Sequence, residues 1–272
     1  MPPSTSLHPR NSRYSLPNVI SRLRTAGCVF AEDEAELLLP NAETEDALET
    51  MLTRREAGVP LEHILGWVDF CGMRIGIATD VFVPRQRTGF LVHQAAKVAL
   101  PGSVILDLCC GTGALGLVLA QWTGNVELHA VDIDSAAVKC ARQNLAGLGG
   151  SVYEGDLFKP LPGGLMGRVD VLVANVPYVP TDAIGLMPPE ARDHEPRVTL
   201  DGGDDGLEVL RRLADGVLRW LAPGGHIFIE TDASQAPAAV KILATAGLLA
   251  RSVYSDEFCS TVIIGANPDP GA

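Results

Sequence analysis

An α/β fold, Rossmann-like and doubly wound around a mostly parallel sheet, is what this sequence predicts, and three observations carry that prediction. From residue 103 onward, apolar runs of strand length alternate with helical patterns through short turns, the signature of repeated β-α units. Gly111-Thr112-Gly113-Ala114-Leu115-Gly116 follows the first apolar run and opens a helix. Asp132 closes the second run about twenty residues on, where such folds place an acidic ligand group. The chain has 272 residues, 47% hydrophobic and 20% charged, which supplies a sizeable core and lies outside the composition of a disordered chain.

Taken in order, residues 1–14 contain no apolar stretch of signal-peptide type and read as a flexible leader. Residues 15–87 read as a helical N-terminal domain with a β-hairpin linker. Leu48, Met51 and Leu52 recur at helical spacing, with Glu43, Glu45, Asp46 and Glu49 near the helix start. Val68-Asp69-Phe70 and Met73-Arg74-Ile75 flank Cys71-Gly72, a hairpin signal. The large domain is assigned to 88–272. It begins with a helix that Thr88 could cap and that Pro101-Gly102 would end. Strands are expected at 104–108, 126–131, 152–153, 169–174, 226–230, 248–253 and 261–264, with helices to 121 and over 135–146, 207–221 and 236–246. Ligands of such sheets sit beyond the carboxyl ends of the strands at the switch point. The motifs fall just after the first, second and fourth strands.

Charge and composition narrow the function. The 21 Lys+Arg against 33 Asp+Glu give a net charge of −12. A surface that acidic repels phosphate backbones and argues against direct nucleic-acid binding. No apolar run approaches the ~18 residues of a membrane-spanning helix. The six cysteines form no C-x-x-C pair, and no His is spaced with them for zinc, so no metal is expected and a reducing cytoplasm suits the thiols.

The glycine loop alone matches a dinucleotide fingerprint, but Asp107 speaks against that ligand. It lies at the strand end four residues before Gly111, where a carboxylate would repel a pyrophosphate. S-adenosyl-L-methionine carries an ammonium group, a sulfonium and a ribose, and suits such a site. Asp107-x-Cys109-x-Gly111-x-Gly113 is then the acidic glycine loop of a class I methyltransferase with Cys in the first glycine place. Asp132 would accept from the ribose hydroxyls. Asp156 and Leu157, after the third strand, would meet the adenine. The bland reading of each, a tight turn or a surface turn, loses weight from their shared placement at strand ends.

Asn175-Val176-Pro177-Tyr178 follows the fourth strand directly. A planar nitrogen is a poor nucleophile, and aiming it at a methyl donor takes two hydrogen-bond acceptors. The Asn175 side-chain carbonyl and the Val176 main-chain carbonyl could supply them, with Pro177 fixing the chain direction and Tyr178 offering a flat face. A strand end followed by a proline turn is the plain alternative.

These residues resemble the PrmC/HemK family of protein-(glutamine-N5) methyltransferases, which modify the Gly-Gly-Gln loop of peptide-chain release factors. Pro60-Leu61-Glu62-His63-Ile64-Leu65-Gly66 and Phe70-Cys71-Gly72 are similar to its linker. Val83-Pro84-Arg85-Gln86-Arg87-Thr88 is similar to its P-R-P-E-T signature, and the segment 200–207 to its D-G-G-x-D-G-L run. The resemblance implies a seven-stranded class I fold and S-adenosyl-L-methionine as cofactor. The cofactor would be held by Asp107, Cys109, Cys110, Gly111, Thr112, Gly113, Asp132, Ile133, Asp156, Leu157 and Asn175. It implies a protein substrate met by Asn175, Val176, Pro177, Tyr178 and Arg85, with Asn175, Pro177 and Tyr178 catalytic, and recruitment of that substrate by the N-terminal helices. Cys109, Val176 and Arg87 depart from the family pattern, Arg87 by exchanging an acid for a base. Three other readings stay open: another protein amide, a different planar nitrogen such as adenine, and a non-catalytic cofactor-binding interaction protein.

Overall fold

The computed structural model describes residues 14–269, so the expected leader lies outside the described residues apart from Tyr14. Tyr14 is 6% exposed and packs into a helical core. The described residues divide into two compact units, 14–66 with 188–194, and 67–187 with 195–269.

In the first unit four helices, α1 (Leu16–Thr25), α2 (Ala31–Asn41), α3 (Glu45–Glu56) and α4 (Leu61–Leu65), bury Leu23, Leu38, Leu48 and Leu52 completely. The Thr44 side chain caps α3 by accepting from the Ala47 amide at 3.1 Å, satisfying one of the orphan donors of a helix start. The buried Arg55 donates to both carboxylate oxygens of Glu34, at 2.6 and 3.0 Å. It also pairs with Glu190 at 2.6 Å, which ties the short helix Pro189–His194 (α8 in chain order) to this unit.

The second unit opens with the hairpin β1 (Trp67–Phe70) and β2 (Met73–Gly76). Val68, Phe70 and Ile75 join the core under the sheet, and the Asn144 side chain accepts from the Gly76 amide at 3.1 Å and donates to its carbonyl at 2.8 Å. The compact boundary accordingly falls at Gly66–Trp67 rather than after residue 87, because the apolar face of the hairpin is covered by this unit. There follow α5 (Gly89–Ala95), β3 (Val104–Leu108), α6 (Ala114–Thr123), β4 (Glu127–Asp132), α7 (Ser135–Leu145), β5 (Ser151–Glu154) and β6 (Val169–Ala174). After α8 come α9 (Glu208–Val217), β7 (Leu221–Thr231), α10 (Ala236–Thr245), β8 (Leu249–Ser255) and β9 (Ser260–Ala266).

The expected helix from residue 88 to 100 is shorter. A 3-10 turn covers Gln86–Thr88, the Thr88 side chain makes no capping bond, and α5 ends at Ala95. Beyond it the Lys97 amide bonds only three residues back, to Gln94, and Ser103 Oγ takes the Leu100 amide at 3.0 Å. That bond turns the chain into β3.

The sheet has seven strands in the order β5-β4-β3-β6-β7-β9-β8. All neighbours are parallel except β9, which runs against both β7 and β8. Every residue of β3 is buried, as expected for a central parallel strand covered on both faces. One face packs with α5, α6, α7 and the hairpin, and the other with α9 and α10. The chain leaves β3 for β4 on one side and returns to β6 on the other, so the switch point lies at the ends of β3 and β6.

Candidate active site

Strand register builds the site. Leu108 pairs with both Val131 and Ala174, and Asp132 pairs with Glu154. The residues that follow, Cys109, Ile133, Asn175 and Gly155, therefore emerge along one sheet edge, and all four line a single cavity. Of the residues expected at the cofactor, Cys110, Gly111, Thr112, Asp132, Asp156 and Leu157 line it too. So do Val176, Pro177, Tyr178 and Arg85, expected at the substrate.

The turn after β3 needs left-handed backbone. Gly111 and Gly113 sit at φ of +53° and +77°, and Cys109 at +55°. That third value gives the physical reason a glycine suits the place of Cys109: an L side chain there costs about 1 kcal/mol or more. A Cβ on Gly113 would lie 3.3 Å from Ala141 and Leu145, so the loop is also packed tightly on α7. Asp132 holds this loop with its carboxylate. Its Oδ2 accepts from the Gly111 amide at 2.8 Å and its Oδ1 from the Asp134 amide at 2.9 Å. Burial pushes the Asp132 carboxyl above its ordinary range, against the pull of those amides.

Asp107 and Gly113 stand behind the cavity wall instead of on it. Asp107 is 1% exposed and its Oδ2 accepts from the Gly116 amide at 2.9 Å. Burial pushes its carboxyl up to about 8, so it is largely neutral at pH 7. Its Oδ1 is buried without a partner. The structure thus assigns Asp107 the fixing of the first turn of α6.

Asn175 extends from the end of β6 with its side-chain oxygen buried and unpartnered. The hydroxyls of Thr88 and Thr112, on the same cavity, are also buried without partners. Native proteins rarely leave such groups orphaned, and where they do a ligand is a standing explanation. Tyr178 donates its hydroxyl hydrogen to Glu230 Oε1 at 3.0 Å and accepts from Arg87 at 2.8 Å. Burial pushes the phenol up to about 12, so it is neutral.

The segment 200–207 backs this motif through its glycines. The Gly202 amide donates to the Val179 carbonyl at 2.8 Å. Gly206, at φ +73°, comes so close that a Cβ there would lie 2.2 Å from the Tyr178 carbonyl oxygen. Gln235 donates to that same carbonyl at 2.9 Å.

Sequence reasoning missed part of the wall. Val209 and Arg212 reach the cavity from α9, and Phe82 from the segment before Pro84. Arg212 donates to both carboxylate oxygens of Asp156, at 2.5 and 2.6 Å, and Lys159 pairs with the same carboxylate at 2.8 Å. The Lys159 hydrogen bond, ahead of the Arg212 pair, holds Asp156 below its ordinary range. Nothing about α9 in the sequence marked it as facing the ligand, since its inward residues carry no motif. Arg85 is held by Glu195 at 2.5 Å and lies 4.8 Å from the Phe82 ring centre.

Fold and site together define a class I S-adenosylmethionine-dependent methyltransferase. Residues 79–186 match the family model of the methyltransferase small domain. The fold is shared with a methyltransferase from Pyrococcus furiosus (15% identity, TM-score 0.54, covering 81% of this chain and 98% of that one). It is shared also with a 16S rRNA N2 G1207 methyltransferase from T. Thermophilus (19% identity, TM-score 0.53, 74% and 49%).

Sequence relatives are more specific. The release factor glutamine methyltransferase of Streptomyces coelicolor is 35% identical over 206 residues, 73% of each chain. That of Mycolicibacterium smegmatis is 39% identical over 196 residues, covering 71% of this chain and 69% of the relative. That of Deinococcus radiodurans is 36% identical over 245 residues, 87% and 83%. The chain belongs to the release factor glutamine methyltransferase family.

Proposed function

We propose that this protein transfers a methyl group from S-adenosyl-L-methionine to the side-chain amide nitrogen of a glutamine in a peptide-chain release factor, within its Gly-Gly-Gln loop. The observation that carries the reading is the Asn175 side-chain oxygen, buried, unpartnered and on the wall of the one cavity that also holds the glycine loop and Asp132. When bound, S-adenosyl-L-methionine supplies an electrophilic methyl group whose departure leaves a neutral thioether.

The residues present fit that cofactor. Asp132 keeps lone pairs for ribose hydroxyls beyond the two it gives to amides. Leu157 and Val209 supply apolar surface for an adenine. Asn175 accepts from the substrate N–H and so orients the amide, and the Val176 carbonyl provides the second acceptor. As positive charge builds on the nitrogen, those hydrogen bonds strengthen, which lowers the barrier without any general acid, and the methylated nitrogen then releases one proton to solvent. Pro177 sets the chain direction and Tyr178 gives the flat wall.

The base at position 87 does not reverse the charge of the substrate entrance, because Arg87 is paired with Glu230 at 3.1 Å. That pairing supports a release factor as the substrate despite the departure from the family signature. Six free cysteines suit the reducing cytoplasm in which such a substrate works. Among the described residues no helix is long and apolar enough to cross a membrane. The test is incubation of cell extract with methyl-labelled cofactor and this protein. Label on a release-factor band supports the reading; label on nucleic acid overturns it.

A further inference from the structure

Arg87, Tyr178 and Glu230 close a ring of hydrogen bonds at the wall of the cavity. Arg87 donates from Nε to Glu230 Oε1 at 3.1 Å and from a terminal nitrogen to the Tyr178 hydroxyl at 2.8 Å. The Tyr178 hydroxyl donates in turn to the same Glu230 oxygen, at 3.0 Å. The members come from three separate places: the turn Gln86–Thr88, the strand end after β6, and β7. Glu230 is 1% exposed and its other carboxylate oxygen has no partner. A carboxylate in that position requires a cation close by, and Arg87 is the cation in contact with it.

A phenol held by a single hydrogen bond still swings about its χ angles. One that donates to a fixed carboxylate and accepts from a guanidinium tied to that carboxylate has its ring plane set. Arginine suits this task where lysine does not, since its planar fork presents two donors at fixed geometry. We infer that Arg87 is a positioning residue for methyl transfer: through Glu230 it clamps the Tyr178 ring against the cavity and so sets the face on which the planar amide lies. The inference rests on the proposed methyl transfer, and it assigns a role to a residue at which this chain departs from the family signature.

The first test is kinetic, with a Gly-Gly-Gln peptide and methyl-labelled cofactor, on wild type, Arg87→Met, Tyr178→Phe and the double variant. Arg87→Met should lower kcat about 10- to 100-fold, the scale of a misplaced reacting group, with KM and cofactor Kd within about twofold. The double variant should be no slower than the slower single variant, because both remove the same clamp. Arg87→Lys should recover only part of the rate. Undiminished kcat in Arg87→Met, or single effects that multiply in the double variant, would overturn the inference. Should Arg87→Met fail to fold around its unpaired Glu230, Arg87→Met/Glu230→Gln removes the buried charge and carries the same cycle.

The second test needs no acceptor. Of the four tyrosines, the ring resonances of Tyr178 in ¹³C-tyrosine-labelled protein are those lost in Tyr178→Phe. Arg87→Met should shift and average them, while unchanged Tyr178 lines would contradict the clamp. A wild-type enzyme inactive on the peptide tells against the release-factor reading, and the ring spectra still decide on Arg87.

Discussion

Asn175→Ala should lower kcat roughly 10²–10³-fold, by analogy with loss of one preorganised hydrogen bond, while cofactor affinity measured by calorimetry changes far less. Unimpaired turnover would remove Asn175 from the mechanism. Asp132→Ala should weaken cofactor binding by roughly 1.5–3 kcal/mol, the worth of hydrogen bonds to a charged group. It should also loosen the glycine loop, since the Gly111 amide loses its acceptor.

Asp107 makes a prediction about pH. Its carboxyl moves from an ordinary 3.8 to about 8 on folding, chiefly by burial. Between those values the native chain holds a proton that the unfolded chain has released, so stability is greatest at the acid side of the window and falls as pH rises through it. The slope for one proton is about 1.4 kcal/mol per pH unit. Asp107→Asn, which mimics the neutral form, should flatten that dependence in denaturant unfolding at pH 5 and pH 7.5. Parallel behaviour of the two proteins would show that Asp107 is ionised in the fold.

At the scale of the element, the segment 200–207 is a support for the acceptor motif. Gly206→Ala puts a methyl group 2.2 Å from the Tyr178 carbonyl oxygen at a φ of +73°. Gly149→Ala has similar backbone strain at +67° but open space around it. Thermal unfolding should therefore show Gly149→Ala losing about 1 kcal/mol and Gly206→Ala losing clearly more, with turnover falling as well. Equal losses would mean that the close approach is unimportant.

The strands are legible because a parallel sheet buried on both faces demands continuous apolar runs, as in β3 and β6. The glycine loop and the motif after β6 are legible because their chemistry needs particular residue types at strand ends. Arg212 and Val209 are not, because they reach the cavity by the way α9 packs across the sheet. Asp107 stands at the end of β3 as the sequence suggests, but its side chain turns to the Gly116 amide, because being next to the crevice along the strand does not say which way a side chain turns. The turn that follows α5 is closed where Ser103 Oγ accepts from the Leu100 amide, a contact that no propensity rule encodes.

At the scale of the whole molecule, the site residues all belong to the unit formed by 67–187 and 195–269. Cofactor binding should therefore survive removal of residues 1–66, while KM for an intact release factor rises. A truncated chain that unfolds would identify the helices as a stabilising cap. Methylation of one glutamine amide is read by tandem mass spectrometry of a purified release factor treated with this protein and S-adenosyl-L-methionine. The expected result is a single added methyl group on the side-chain nitrogen of the Gly-Gly-Gln glutamine, absent with Asn175→Ala. An unmodified glutamine, or a methyl group on any other residue, would contradict it.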